Sequence, residues 1–184
     1  SQHRWQAAND AGRFKDEIVP IKIKGKKGEE LFQVDEHPRG GKATIEELSK
    51  LAPVFKKDGV VTAGNASGVC DGAGTIILAN EEAVKENNLQ PLARLVSYHT
   101  TGCDPKIMGI GPVPAISNLL KKTKLNLNQI DVIEVNEAFA PQFLSVQKEL
   151  GLDPAKTNVN GGAIALGHPL AASGSRITAN LVYE

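Results

Sequence analysis

Residues 158–176, NVNGGAIALGHPLAASGSR, constrain the fold more tightly than any other stretch, because a run of glycine, alanine and proline around one histidine admits few backbone paths. Pro169 suits the first position of a helix, where its missing N–H goes unnoticed, and it pushes the preceding residue toward extended geometry. The sequence therefore predicts a helix starting at Pro169 with His168 displayed at its mouth. The positive end of a helix disfavours imidazolium, so a histidine there tends to stay neutral and able to accept a proton near pH 7. Gly161, Gly162 and Gly167 leave room for a ligand or a second backbone beside that ring. The same residues equally suit a glycine-rich strand-to-helix turn whose histidine only makes hydrogen bonds, and the local pattern leaves both readings open.

With 184 residues, 41% hydrophobic and 23% charged, the chain has the composition of a globular α/β protein rather than a disordered one. Lysine plus arginine equal aspartate plus glutamate at 21 each, and no basic block or aromatic platform marks a nucleic-acid surface. Cys70 and Cys103 stand far apart without ligand spacing, which argues against a disulfide framework and against a metal site. The apolar runs are short and broken by charge, so no transmembrane segment is expected. The chain opens within a helical pattern (Trp5, Ala8, Ala11) and closes within another, ITANLVYE, that has no stop signal. The expectation is a piece of a longer protein, for which the lack of a targeting peptide carries no weight.

Along the chain, residues 1–16 read as a helix tail closed by Gly12, and 17–36 as a two-stranded excursion turned at Gly25 to Gly28 with a lysine-rich, solvated surface. TIEELSKLAPVF reads as an amphipathic helix ended by Pro53. Residues 61–79 read as a tight loop feeding a buried strand from Thr75 to Ala79, and Arg94 to His99 as a further strand. PVPAISNLLKKTKL follows as a helix. The last third holds two similar units: DVIEV runs into Asn136 and a helix, and TNVN runs into Gly161 and the helix after His168. In open α/β sheets ligands gather at the carboxyl ends of strands, so Asn136 and His168 are expected to face one pocket.

The Asn136 amide can donate a hydrogen bond, directly or through water, to an oxygen that gains charge during reaction, or it can simply cap a helix. Glu134 and Glu137 flank it, and residues three apart at a strand end do not make an opposed acid–base pair, so both are read as structural. The GxG of Asp71-Gly72-Ala73-Gly74 precedes its strand and does not match a dinucleotide fingerprint, and Ser67 lacks a GxSxG elbow. Cys70 and Cys103, among small residues, read as buried, inert packing. A base and an oxyanion donor without a nucleophile make an incomplete site.

Four motifs go further together than any does alone. VTAGNASG at 61–68, MGIGPVPA at 108–115, VNEAFA at 135–140 and NVNGGAIALGHP at 158–169 resemble, in order and spacing, the thiolase family, and the resemblance covers essentially the whole chain. VDEHPR, FKKDGVVTAGNASG and NEAFAPQ resemble its 3-ketoacyl-CoA branch of mitochondrial β-oxidation.

The resemblance implies an α/β fold of two related halves, each with mixed sheets between helices, of which this chain is a central and C-terminal portion. It divides into 1–69 in the loop domain that covers coenzyme A, 70–89 at the end of the N-terminal half, and 90–184 in the C-terminal half. It implies that His168 activates an acyl-accepting cysteine and helps form an oxyanion hole that Asn136 completes by holding a water. It sets Arg39 at the nucleotide end of coenzyme A, Ala63, Ser67, Ala138 and Phe139 along the pantetheine arm, and Met108 beside the acyl pocket. Coenzyme A is a substrate, and no prosthetic group or metal is implied. The implied reaction is thiolytic cleavage of 3-ketoacyl-CoA, with acetoacetyl-CoA thiolysis or a non-catalytic CoA-binding module as alternatives. A mitochondrial homodimer or homotetramer is implied, with cytoplasmic or peroxisomal location as alternatives.

Two departures stand out. The family's two catalytic cysteines fall outside residues 1–184, and neither Cys70 nor Cys103 corresponds to them, so the chain alone is expected to be inactive. Ala171 replaces a usual glycine, which costs stability if φ is positive there and nothing if the residue is helical.

Overall fold

A computed structural model describes residues 1–25 and 28–184. Helix α1 spans Gln2–Asp10 and closes with Ala11 and a left-handed Gly12, φ +74°, at the expected stop. Strands β1 (Ile21–Gly25) and β2 (Gly28–Phe32) pair antiparallel from Ile21 opposite Phe32 to Gly25 opposite Gly28. Lys22 and Lys24 are exposed, as expected of a solvated hairpin; Lys26 and Lys27 lie outside the described residues. Helix α2 is only Ile45–Leu48, begun by Thr44, whose hydroxyl accepts from Glu47 N. It ends before the expected Pro53: Ser49 is still helical, but Lys50 and Leu51 donate to Glu47 O and Leu48 O three residues back, a tightened last turn, and Leu48 lies against Gly64. Helix α3 (Glu81–Glu86) is capped by the Asn80 side chain.

Helices α4 (Pro112–Thr123) and α5 (Ala140–Leu150) form as their sequences predict, each with a proline in its first turn and a left-handed residue after its end, Lys124 at φ +59° and Gly151 at φ +66°. Their apolar faces enclose the core: Val135, Val146 and Leu152 are buried, with Val113, Ile116 and Phe143 packed around them. The short helix α6 (Ala163–Leu166) and helix α7 (Ser173–Tyr183) flank the histidine turn. Ile133 N–H donates to Lys156 O at 2.8 Å and Asn158 N–H to Ile133 O at 2.9 Å, a parallel pairing across α5 as the strand–helix–strand reading requires. The core thus fixes the strand that ends at Asn136.

Several expectations change. Residues 75–79 and 94–99 form no strand among the described residues, and they lie open, with Ile77 85% and Val96 67% exposed. An apolar strand needs neighbours on its edges and faces, whereas Lys122 meets 94–99 only at Tyr98, donating to its O at 3.1 Å and standing over its ring. The last helix begins at Ser173, not at Pro169, although Pro169 O already accepts from Ser173 N at 2.9 Å, so a turn intervenes between His168 and the helix. The histidine-loop glycines admit close approach, at Gly161 of the backbone of Ser1 and Trp5. A Cβ on Gly162 would meet the Glu137 carboxylate, and one on Gly167 the Cys70 sulfur. Ala171 does not have a positive φ, so it carries no left-handed strain. Cys70 is half-buried and Cys103 is exposed, which corrects the reading of both as buried.

Candidate active site

Residues 65–69 are the seam that joins the two halves of the site. Asn65 O accepts from Ala140 N at 2.8 Å, and Ser67 donates through both its N–H (3.0 Å) and its hydroxyl (2.9 Å) to Ala138 O. At the next residue, Gly68 O accepts from His168 N at 2.8 Å, and Val69 bridges His168 in parallel. The segment that follows Asn136 and the turn that carries His168 are therefore tied to one short segment. Phe139 is fixed further by an edge-to-face contact with Phe55, ring centroids 5.7 Å apart.

Asn136 and His168 do face each other: Asn136 Nδ2 lies 3.2 Å from His168 Nε2. The other imidazole nitrogen, Nδ1, lies 2.6 Å from Ser173 Oγ, whose hydroxyl donates to Pro169 O at 3.3 Å. With its proton committed to Pro169, the Ser173 hydroxyl accepts from Nδ1–H, which leaves a lone pair on Nε2 to accept from the Asn136 amide. In the tautomer that keeps the Ser173–Pro169 bond, Nδ1 carries the proton and Nε2 is the basic nitrogen. Asn136 does not cap a helix, since α5 starts beyond Phe139. Among the described residues its Oδ1 is buried and without a partner. Ser173, 4% exposed, was not singled out from the sequence; its position five residues after the histidine, one turn past Pro169, was the available signal.

Glu137 is structural, as its spacing suggested. One carboxylate oxygen accepts from Ile164 N at 3.2 Å and the other from Asn158 Nδ2 at 3.3 Å, so the buried residue clamps α6 to the strand end. Burial pushes Glu134 up to about 7; Arg176 draws it back through space without a hydrogen bond, and Glu137, Glu17 and Glu184 raise it further. Burial likewise pushes the Cys70 thiol up, against a hydrogen bond from the His168 backbone, which disfavours thiolate.

Beside the seam lies a cleft of about 250 Å³ whose walls include Gln2, His37, Arg39, Ala63, Ser67 and Ile164. Three residues singled out from the sequence, Arg39, Ala63 and Ser67, thus share one wall system. Gln2 organises it, accepting from Arg39 N and Gly40 N at 2.9 and 3.0 Å while donating to Ile164 O at 3.1 Å. His37, which sequence reasoning did not assign, points Nδ1 at Ala165 O, 2.8 Å away, and latches the same loop to α6. Ala138 and Phe139 stand at the far side of the seam. Met108 is 70% exposed and lines neither this cleft nor the apolar hollow formed by Ile107, Ile110 and Pro141. Among the described residues there is no cluster of potential metal ligands, and no helix is long and apolar enough to cross a membrane.

The family model described as "Thiolase, N-terminal domain" matches residues 1–82, and that described as "Thiolase, C-terminal domain" matches 89–184. The chain is 67% identical over 184 residues to the mitochondrial 3-ketoacyl-CoA thiolase of Bos taurus, covering all of this chain and 46% of that protein. The crystal structure of human mitochondrial 3-ketoacyl-CoA thiolase superposes with a TM-score of 0.95 at 66% identity, over 99% of this chain and 46% of that one. Its complex with CoA gives 0.93 at 65% identity, over 99% of this chain and 45% of that one. The chain thus spans about half the length of the curated relatives it matches, carries the thiolase fold over that span, and belongs to the thiolase family.

Proposed function

We propose that the full-length protein containing this chain cleaves 3-ketoacyl-CoA with coenzyme A, giving acetyl-CoA and a shortened acyl-CoA. The observation that carries this reading is the Asn136–His168–Ser173 chain, with Nε2 as its basic atom, tied by residues 65–69 to the cleft of Arg39, Ala63 and Ser67. His168 Nε2 takes the proton from the thiol of the acyl-accepting cysteine, which the family resemblance puts outside residues 1–184. The thiolate adds to the ketone carbon, the bond between that carbon and the thioester's α-carbon breaks, and its electron pair passes into the thioester as an enolate. The second of the family's cysteines, which the resemblance also puts outside residues 1–184, protonates the α-carbon to give acetyl-CoA; the thiol of a second coenzyme A then gives its proton to that cysteine and takes the acyl group, and the departing cysteine thiolate recovers its proton from His168.

Asn136 suits both protonation states of the histidine. Its Nδ2–H donates to neutral Nε2, and its unpartnered Oδ1 can accept from Nε2–H after the amide turns over. Once freed, the Nδ2–H is available to the enolate oxygen, directly or through a water. Coenzyme A binds as substrate, with Arg39 at its nucleotide, since guanidinium pairs with phosphate and stacks on rings, and Ser67, Ala63, Ala138 and Phe139 along its arm. Met108 borders the acyl chain from its exposed segment. Of the partition 1–69, 70–89 and 90–184, the change of family model between 82 and 89 supports the second boundary, and the first rests on the family resemblance. The relative's name favours general 3-ketoacyl substrates over acetoacetyl-CoA alone and supports a mitochondrial location; a homodimer or homotetramer as the assembly rests on the family resemblance.

The test is thiolysis by the full-length protein across 3-ketoacyl-CoA chain lengths. His168→Ala should lower kcat at least about 10²-fold with CoA affinity nearly unchanged, and Asn136→Ala roughly tenfold. Ser67→Ala should mainly weaken CoA binding. An unchanged single-turnover acylation rate in His168→Ala would remove His168 as the base.

A further inference from the structure

Asn158 sits where the parallel pairing with 133–135 runs out. Its own N–H donates to Ile133 O, but its backbone then turns left-handed, φ +49°, toward the bond from Gly161 N to Asn158 O. No backbone group remains to pair with Val135. The Asn158 carboxamide fills that rung instead: Val135 N–H donates to Oδ1 at 2.8 Å, and Nδ2 donates to Val135 O at 2.8 Å. The second Nδ2 hydrogen goes to Glu137 Oε1 at 3.3 Å. Asn158 is 1% exposed, so none of these bonds competes with water.

One side chain thus holds the residue before Asn136 by both its peptide groups and the residue after it by its carboxylate. Glu137 passes the constraint on to Ile164 N in α6, four residues ahead of His168. We propose that Asn158 is a positioning residue that keeps Asn136 Nδ2 and His168 Nε2 in register, acting on both through Val135 and Glu137. The inference rests on the function proposed above for that pair. It demands a planar group with one donor and one acceptor toward Val135, which asparagine supplies and protonated aspartic acid also supplies, whereas carboxylate and alanine do not. The charged groups against Asn158 are Glu137 and Arg4, whose Nη1 donates to Thr157 O at 2.6 Å and to Asn158 O at 3.2 Å.

The experiment compares Asn158→Ala and Asn158→Asp in the full-length protein. Asn158→Ala should lower kcat about tenfold or more at every pH while leaving the KM for CoA within about twofold, and should add little to Asn136→Ala in a double mutant. Asn158→Asp should be equally poor near pH 8, where its carboxylate faces Val135 O and Glu137. Its ratio to wild type should rise toward pH 6, as the buried carboxyl protonates and regains the donor. Imidazole ¹⁵N spectra read the same geometry without turnover: the His168 Nε2 resonance shifts in Asn158→Ala. Full kcat in Asn158→Ala, additive losses with Asn136→Ala, or an unmoved His168 resonance would overturn the proposal. So would loss of folding in both variants that is equal at every pH, since that marks a residue needed only for stability. A wild type without thiolysis but with the shifted resonance would discard the proposed reaction and keep the positioning role.

Discussion

Ser173 Oγ, 2.6 Å from His168 Nδ1, takes the place a carboxylate would hold if the imidazole were to be paired with a full charge. A hydroxyl orients the ring and selects its tautomer with less stabilisation of imidazolium than an anion would give. Ser173→Ala leaves the Nδ1 proton without an acceptor in a buried spot and frees the ring to hold its proton on Nε2 instead. The expected result in the full-length protein is a fall in kcat of about tenfold, with Ser173→Thr recovering part of it, as measured by thiolysis at saturating CoA. At this scale His168 and Asn136 were legible because their types and junction positions allow few roles. Ser173 and Asn158 were not, because serine and asparagine near turns most often satisfy local backbone, and only the assembled loop reveals a distant partner. Ala171 was ambiguous for the same reason: its cost depended on a φ angle that no neighbouring residue dictates.

Among the elements, helices α4 and α5 were legible from their apolar periodicity and terminal signals, whereas the extended segments were only half legible. Apolar runs at 75–79 and 94–99 have strand composition, yet pairing and burial belong to their neighbours and not to their own residues. The strand ending at Asn136 has its neighbours, and it also carries Glu134, whose carboxyl is pushed to about 7 by burial. A carboxyl that holds its proton more tightly when folded stabilises the fold fully below its unfolded value near 4.5, and that contribution is lost as pH rises through about 7. Urea denaturation of the full-length protein from about pH 5 to pH 8 should therefore show stability falling from the acid end of this window to about pH 7 and levelling off above it. Glu134→Gln, neutral throughout, should flatten the decline; an unchanged slope would assign it to other groups.

For the molecule as a whole, 13107 Å² of surface is accessible, against roughly 8,600 Å² for a compact monomer of its 19.6 kDa mass. Val19, Ile77, Leu78, Leu92 and Tyr98 are among the large apolar side chains left open. Composition alone gave no hint of this, since 41% hydrophobic residues is ordinary for a globular chain; the four motifs, not periodicity, identified the architecture. The 184 residues expressed alone should show no thiolysis above buffer at high protein concentration, and should aggregate or bind a hydrophobic dye. Turnover that survives mutation of both Cys70 and Cys103 would contradict the assignment of the nucleophile to a cysteine beyond them.

The open segments at 75–79 and 94–99 also bear on the heat capacity of the isolated chain. Apolar groups that are already hydrated in the folded state add nothing to the heat-capacity step on unfolding, which reports only surface newly exposed to water. A typical domain of this length gives a step of roughly 2.2–2.8 kcal/mol/K. Calorimetry of this chain should find a clearly smaller step and a correspondingly shallow dependence of stability on temperature, so that warming and cooling from its optimum both cost it little.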